Sequence, residues 1–496
     1  MHRLLFALLL CGVCSGQAAA QQAPYLPYYS KDTTQAHQLA VAHRNAVKTH
    51  FALPKTGNGE YRDHYRKVVQ SLSADVYNSI RYAALLDPEV EPYVQQVFAR
   101  ILAANPQLPP AARLVLTRNP EPNAHAVGNG TVMLNIGLLP RLENESQLAF
   151  ILCHELAHVA GRHSETSIQS RLTALHSKEL KREVRRIINS EYNIGSQIKA
   201  LALGFSLSAT YHSRRHEKQA DSLGYVLLAR TRYAAPQAYR ALQLLDKIDE
   251  PETVEAASLP ALFTCPSFPK PFGVAPVKAR SIFTVQAAET PLETTDTLKS
   301  HPDCAKRMRF LHALARGQVA EGPQAETPEF ARIRAISQLE VIQSWFDYDC
   351  YDRALFGALQ LLPRQPHSSY LRSVVVLSLY ELRQHLREHT YSEVVSNLSP
   401  RNPPAFNALL AALNALHYED FAGLSACFAQ ATGPAPGPAG DEYALAARYA
   451  ASVLAAAPTS AAAVALRAEY QKQYVGGKFD RLLFPAPTGT AGAARR

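Results

Sequence analysis

The chain has 496 residues, 47% of them hydrophobic, with a formal net charge of +9 and a pI near 9.1. Such a length can bury more than one core and favours two or three domains. The basic charge does not make a nucleic-acid module, because the aromatics do not alternate with basic residues and no such motif occurs, so nucleic acid is excluded as a partner.

Residues 1–20, "MHRLLFALLLCGVCSGQAAA", combine basic Arg3, an apolar run from Leu4 to Val13 and small residues Ala18 to Ala20. This is the pattern of a secretory signal peptide, and it predicts an exported protein, periplasmic or extracellular, starting near Gln21. An uncleaved anchor fits less well, since a spanning helix needs about 20 apolar residues. Bulky Leu10 and Val13 before Cys11 and Cys14 argue against a lipoprotein. Beyond the leader stand Cys153, Cys265, Cys304, Cys350 and Cys427, an odd and sparse set that is no disulfide framework. One bond between Cys265 and Cys304 is compatible with an oxidising compartment, and Cys153 reads as a small core residue.

Residues 33–105 are mostly helical by pattern, with an amphipathic helix opened by Asp87-Pro88. "ARLVLTRNP" reads as a strand, and residues 123–139 as two short strands turning at Gly128-Asn129-Gly130. The next helix starts at Asn144, with Gln147 completing a capping-box arrangement, and runs to about His163. Helical patterns follow from Ser167 to Asn189 and from Ile194 to about Arg230; the apolar stretch 194–211 holds Gln197 and Lys199 and reads as a buried core helix. The basic run "HSKELKREVRR", residues 176–186, interleaves Glu179 and Glu183 with its cations. It reads first as a solvated face and second as a peripheral contact with an anionic membrane or polymer.

Residues 250–300, rich in Pro, Thr and Ser, form a long irregular excursion. Apolar, Ala-rich helical segments then alternate with Pro-marked turns through residue 475. "YDRALFGALQLLPRQP" and "YALAARYAASVLAAAPTSAAAVALRAEY" read as stacked helical hairpins of tetratricopeptide-like character. The expected division is a signal peptide at 1–20, a catalytic domain at 21–320 with its core at 80–315, a helical-hairpin domain at 325–480 and a disordered tail at 481–496.

The chemistry lies in "FILCHELAHVAGRH", residues 150–163. Histidines four apart share one helix face, so His154 and His158 can meet one zinc ion while Glu155 stands beside it. A catalytic site needs a third protein ligand and an open fourth position. "YHSRRHEKQADSLG", residues 211–224, supplies Glu217 as that ligand. Asp221, one turn on, becomes the acceptor for the free N–H of a ligating imidazole, His154.

With "LLDPEVEPYVQQV", "NAHAVGNGTVMLNIGLL", "NESQLAFILCHELAHVAGRH", "SRRHEKQADSLG" and "HPDCAKRM" in co-linear order, residues 80–315 resemble the zinc endopeptidase family of the CAAX prenyl protease, HtpX and Oma-type proteases. A secreted catalytic domain followed by repeat-like helices is most similar to the periplasmic BepA-like branch. The resemblance implies a mostly α fold: a gluzincin-type metalloprotease domain of helices and a small β-sheet, then an all-α helical-hairpin domain. It implies one Zn2+ per chain held by His154, His158 and Glu217, and polypeptide substrates cleaved with Glu155 as general base. It also implies His301 as oxyanion donor, with Arg307 as a supporting candidate; both are equally readable as braces of the fold, and Tyr211 and His212 are weaker candidates. Where the family commonly reads Asn-Ala-Phe-Ala-x-Pro-Gly-Gly, this chain has His125, Gly128 and Asn129.

The strand Thr131, Val132, Met133, Leu134 and Asn135 is a candidate edge to which an extended substrate adds. Two functions follow: an exported endopeptidase acting on misfolded or envelope proteins, with a partner bound through the C-terminal helices, or a helical-repeat binding or chaperone-like protein with a vestigial metal site. The full set of ligands, base and supporting acid favours the enzyme.

Overall fold

The computed structural model describes residues 25–188, 214–247, 259–272 and 304–484, less positions 31, 56, 271, 319, 321–325, 401 and 434–440. The leader, the stretch 194–211 with Tyr211, and also His212, His301 and most of the 250–300 excursion lie outside these residues.

Helices α1 (Thr34–His50) and α2 (Gly59–Ala83) pack together, and α3 (Val90–Ala104) follows. As the Asp87-Pro88 pair predicts, the Asp87 side chain starts α3 by accepting the N–H groups of Glu89 and Val90 at 2.9 and 2.7 Å. Three strands come next: β1 (Arg113–Thr117), β2 (Ala124–Val127) and β3 (Thr131–Asn135).

The sheet order is β1-β3-β2, with β3 parallel to β1 and antiparallel to β2. Thr131 to Asn135 therefore form the central strand, which corrects the expectation that they form an edge. Arg113 to Thr117 pair on one side of β3 and Ala124 to Val127 on the other, so its backbone groups are already used. The hairpin is local and readable, whereas the parallel return of β1 is a long-range pairing with no local signature. Alternation then splits the sheet: Leu114, Leu116, Val132 and Leu134 join the core with α3, while Val115, Val127 and Met133 join a smaller core with α1 and α2.

After a 3-10 turn (Ile136–Arg141) come α4 (Glu145–Ala160), α5 (His163–Leu175), α6 (Lys178–Ile188), α7 (214–229), α8 (Gln237–Asp246), α9 (Leu259–Phe263) and α10 (Cys304–Leu314). Helix α4 ends before His163 because Arg162 adopts a left-handed φ of 53°. The single helix expected over Ser167–Asn189 is two, broken at His176 and Ser177. Among the described residues no helix is long and apolar enough to cross a membrane.

The rest is helical: α11 (Pro328–Asp347), α12 (Tyr351–Leu361), α13 (Ser369–Arg387), α14 (Tyr391–Val394), α15 (Pro404–Asn414), α16 (Asp420–Thr432), α17 (Glu442–Ala455), α18 (Ala461–Gln473) and α19 (Asp480–Leu483). Leu483 is fully buried, so residues 481–484 belong to the packed body rather than to a disordered tail.

Two large cores share α11. Phe330, Ile333 and Ile336 pack with α3 and α4, whereas Leu339, Ile342 and Phe346 pack with α12 to α17. The excursion contributes to the second core: Phe263, Phe268 and Phe272 are buried there, and Phe263 stacks on Phe428. This apolar packing carries Cys265 to α16, where it is bonded to Cys427. The pairing with Cys304 is thereby corrected, and Cys304 is a buried residue of α10 outside that disulfide.

Candidate metal centre

Helix α4 is buried almost all round: every residue from Gln147 to Ala157 is buried. Its start follows the predicted cap, with Asn144 Oδ1 accepting the Gln147 N–H at 3.1 Å. The reciprocal bond is shifted by one residue, since Gln147 Oε1 accepts the Glu143 N–H at 2.7 Å. Buried His154 and Glu155 and half-buried His158 stand out in this apolar setting, where an ionisable group needs a partner or a metal.

Helix α7 presents Glu217, Asp221 and Gly224 to α4, at spacings of four and three that keep them on one face. Gly224 permits the approach: a Cβ there would lie 3.1 Å from the backbone N and Cα of His154. Both histidine Nε2 atoms point to one place, 3.1 Å apart. Glu217 places Oε2 3.4 Å from His154 Nε2 and Oε1 3.4 Å from His158 Nε2.

That triangle is the size a metal requires. Donors about 2.1 Å from a tetrahedral zinc are about 3.4 Å from one another. His154, His158 and Glu217 thus form a three-donor group able to hold a metal ion.

Behind the triangle, Asp221 is fully buried, with Oδ1 3.0 Å from His154 Nδ1. Arg307 on α10 donates to the same carboxylate, from Nε at 2.8 Å and Nη2 at 2.7 Å, and its Nη1 lies 3.0 Å from Glu217 Oε2. Burial alone would raise the Asp221 carboxyl, but Arg307 and then His154 outweigh it and hold the pKa down to about 2. Burial would lower His154, yet hydrogen bonds to Asp221 and Glu217 raise it to about 9. A metal must therefore displace a proton from His154. With its guanidinium on two carboxylates, Arg307 braces the ligand cage.

Residues 88–315 match peptidase family M48. That stretch, which holds the metal-site residues, is similar to an M48 peptidase domain. It is 27% identical over 226 residues to the mitochondrial metalloendopeptidase OMA1 of Schizosaccharomyces pombe, a match covering 44% of this chain and 63% of that protein. It is 26% identical over 156 residues to the beta-barrel assembly-enhancing protease of Yersinia pestis, covering 31% and 32% of the two chains. The protease of that name from Escherichia coli is 34% identical over 77 residues, 16% of each chain. The chain thus spans less than two thirds of the length of these relatives.

The geometry of the peptidase domain brings together five of the residues named from the sequence for the metal site and its support, namely His154, His158, Glu217, Asp221 and Arg307, with Glu155 adjacent on α4. His301 lies outside the described residues, and Thr131 to Asn135 occupy the sheet centre. Two further histidines escaped the sequence reading. His163 places Nδ1 2.9 Å from His158 Nδ1, and its ring stacks on that of His216 with centroids 4.3 Å apart. Burial above all, with His158 and His216 nearby, lowers the His163 pKa to about 4. The Gly161-Arg162 pair before it is the signal that could have found it, since a helix break there can turn the next side chain back on the helix.

Proposed function

We propose that the protein is an exported zinc endopeptidase that hydrolyses peptide bonds in misfolded or envelope proteins. The observation that carries this reading is the triangle of His154, His158 and Glu217, sized for zinc, with buried Glu155 beside it. Zinc in a site with three protein ligands supplies Lewis acidity and a water acidified to a pKa of about 7. Glu155 takes the proton of the attacking water and returns it to the leaving amine nitrogen. Asp221 holds His154 in the tautomer that leaves Nε2 free for the metal, and Arg307 holds Asp221 and Glu217. His301 keeps its assignment as oxyanion donor, and Arg307 becomes a positioning residue.

Strand addition by substrate passes from β3 to β2, the edge strand packed beside α4. Residues 325–480 are read as a tetratricopeptide-like domain that binds an envelope partner, and exposed Arg182 and Arg185 on α6 as the face for an anionic membrane. Export is supported by the leader and by the Cys265–Cys427 bond, since disulfides persist in oxidising compartments.

The test is metal analysis and casein cleavage on the mature chain. The wild type should hold about one zinc and cleave, Glu155→Gln should keep zinc and lose cleavage, and Glu217→Ala should lose most of its zinc. A wild type without zinc, or a fully active Glu155→Gln, would overturn the reading in favour of a helical binding protein.

A further inference from the structure

The two histidine ligands are supported unequally. His154 is backed by a carboxylate, whereas the Nδ1 of His158 meets another imidazole, that of His163, at 2.9 Å. Two ring nitrogens at that distance share one proton. If His158 gives Nε2 to the metal, the proton sits on its own Nδ1, and His163 Nδ1 must accept it. The proton of His163 then belongs on Nε2.

The local backbone is shaped for this contact. Gly161 closes α4, and Arg162, a non-glycine residue, adopts the left-handed region that L-residues rarely enter. The turn brings His163 back onto His158, five residues upstream. A Cβ on Gly161 would lie 2.5 Å from His163 Nε2, so the ring occupies the space that the glycine leaves. His216, stacked on the other side, directly precedes the ligand Glu217.

We propose that His163 is a positioning residue for the metal site: it accepts the Nδ1 proton of His158, fixes the tautomer and ring orientation of that ligand, and links it through His216 to the helix carrying Glu217. The inference rests on the metal-site reading above. It assigns the support of His158 to a neutral imidazole, where a second carboxylate would add negative charge to a cage that already holds Glu217, Asp221 and Glu155.

The experiment measures zinc affinity of the mature protein by chelator competition, together with the absorption spectrum of the cobalt-loaded form. His163→Phe keeps a flat ring and removes the acceptor; it should weaken zinc binding about 10- to 100-fold and alter the cobalt spectrum. His163→Asn places an amide oxygen near the site of the lost nitrogen and should restore most of the affinity. Wild-type affinity in His163→Phe would overturn the proposal, as would His163→Asn binding no better than His163→Phe, which would leave packing as the only role. Should His163→Phe fail to fold, Gly161→Ala decides, because its methyl displaces the His163 ring and removes no polar group. Weakened zinc then supports the proposal, and unchanged zinc overturns it. Glu217→Ala serves as the separate control: if it keeps full zinc, the metal-site reading itself has failed.

Discussion

Asp221→Asn tests the ligand cage at its most buried point. Asp221 meets three donors, Arg307 Nε at 2.8 Å, Arg307 Nη2 at 2.7 Å and His154 Nδ1 at 3.0 Å. A carboxylate answers all three with acceptor oxygens. An asparagine must aim its NH2 at one of them, setting donor against donor at a fully buried position. Breaking one side of a buried ion pair costs about 3–5 kcal/mol, and one oxygen and Glu217 remain for Arg307, so a loss near 3 kcal/mol is expected. The metal should also be held about 10- to 100-fold less tightly, because His154 loses its charged partner. Chelator competition measures the second effect, and thermal unfolding of the metal-free protein the first. The variant should fold, bind zinc weakly and cleave slowly, with a milder metal defect than Glu217→Ala. Wild-type zinc affinity, or a metal loss as deep as that of Glu217→Ala, would refute this account of Asp221.

Two other predictions concern regions away from the metal. Buried His43 contacts Thr131 Oγ1 at 2.8 Å, and burial, with Arg113 nearby, lowers its pKa from 6.5 to about 4. The unfolded chain therefore takes up this proton first: the stability contribution is complete above about pH 6.5, falls as the pH drops to about 4, and loses at most about 3 kcal/mol. His43→Asn should flatten urea midpoints across that window, and an unchanged slope would exclude His43 as the source. Cys265→Ser opens a link between residues 162 apart and should destabilise the protein by about 2–5 kcal/mol without changing zinc affinity; an unchanged melting temperature in non-reducing buffer would show that the bond contributes nothing.

What was legible in the sequence was short-range. His154 and His158 sit one turn apart, Glu217 and Asp221 sit one turn apart, and a helix converts both spacings into shared faces without reference to the rest of the chain. The hairpin at Gly128 to Gly130 was readable for the same reason. The failures lie where distant segments decide. The parallel pairing of β1 with β3 removed the expected edge at Thr131 to Asn135, and Phe263 packing on Phe428 took Cys265 away from Cys304 to Cys427. The support from His163 depends on the backbone turn at Arg162, which no periodicity records.

The helical half is tied to the peptidase domain at three levels, and the ties converge on elements that carry the site. Helix α11 gives its first turns to the peptidase core and its later turns to the helical core, so neither core is complete without it. The Tyr25 hydroxyl bridges Asp87, at the start of α3, and Glu340 on α11, both at 2.6 Å, and the Tyr28 N–H also donates to Glu340. Burial pushes the Glu340 carboxyl up, against the hydrogen bonds from Tyr25 and the Tyr28 N–H. The third tie runs through the excursion, whose apolar segment 259–272 is held on α16 by Cys265 and its phenylalanines. That segment lies in the chain between α8 and α10, and α10 delivers Arg307 to Asp221 and Glu217. Close-packed interiors transmit displacement rather than absorb it. A ligand that shifts α11 therefore acts on α3, which packs on α4, the helix that carries His154 and His158.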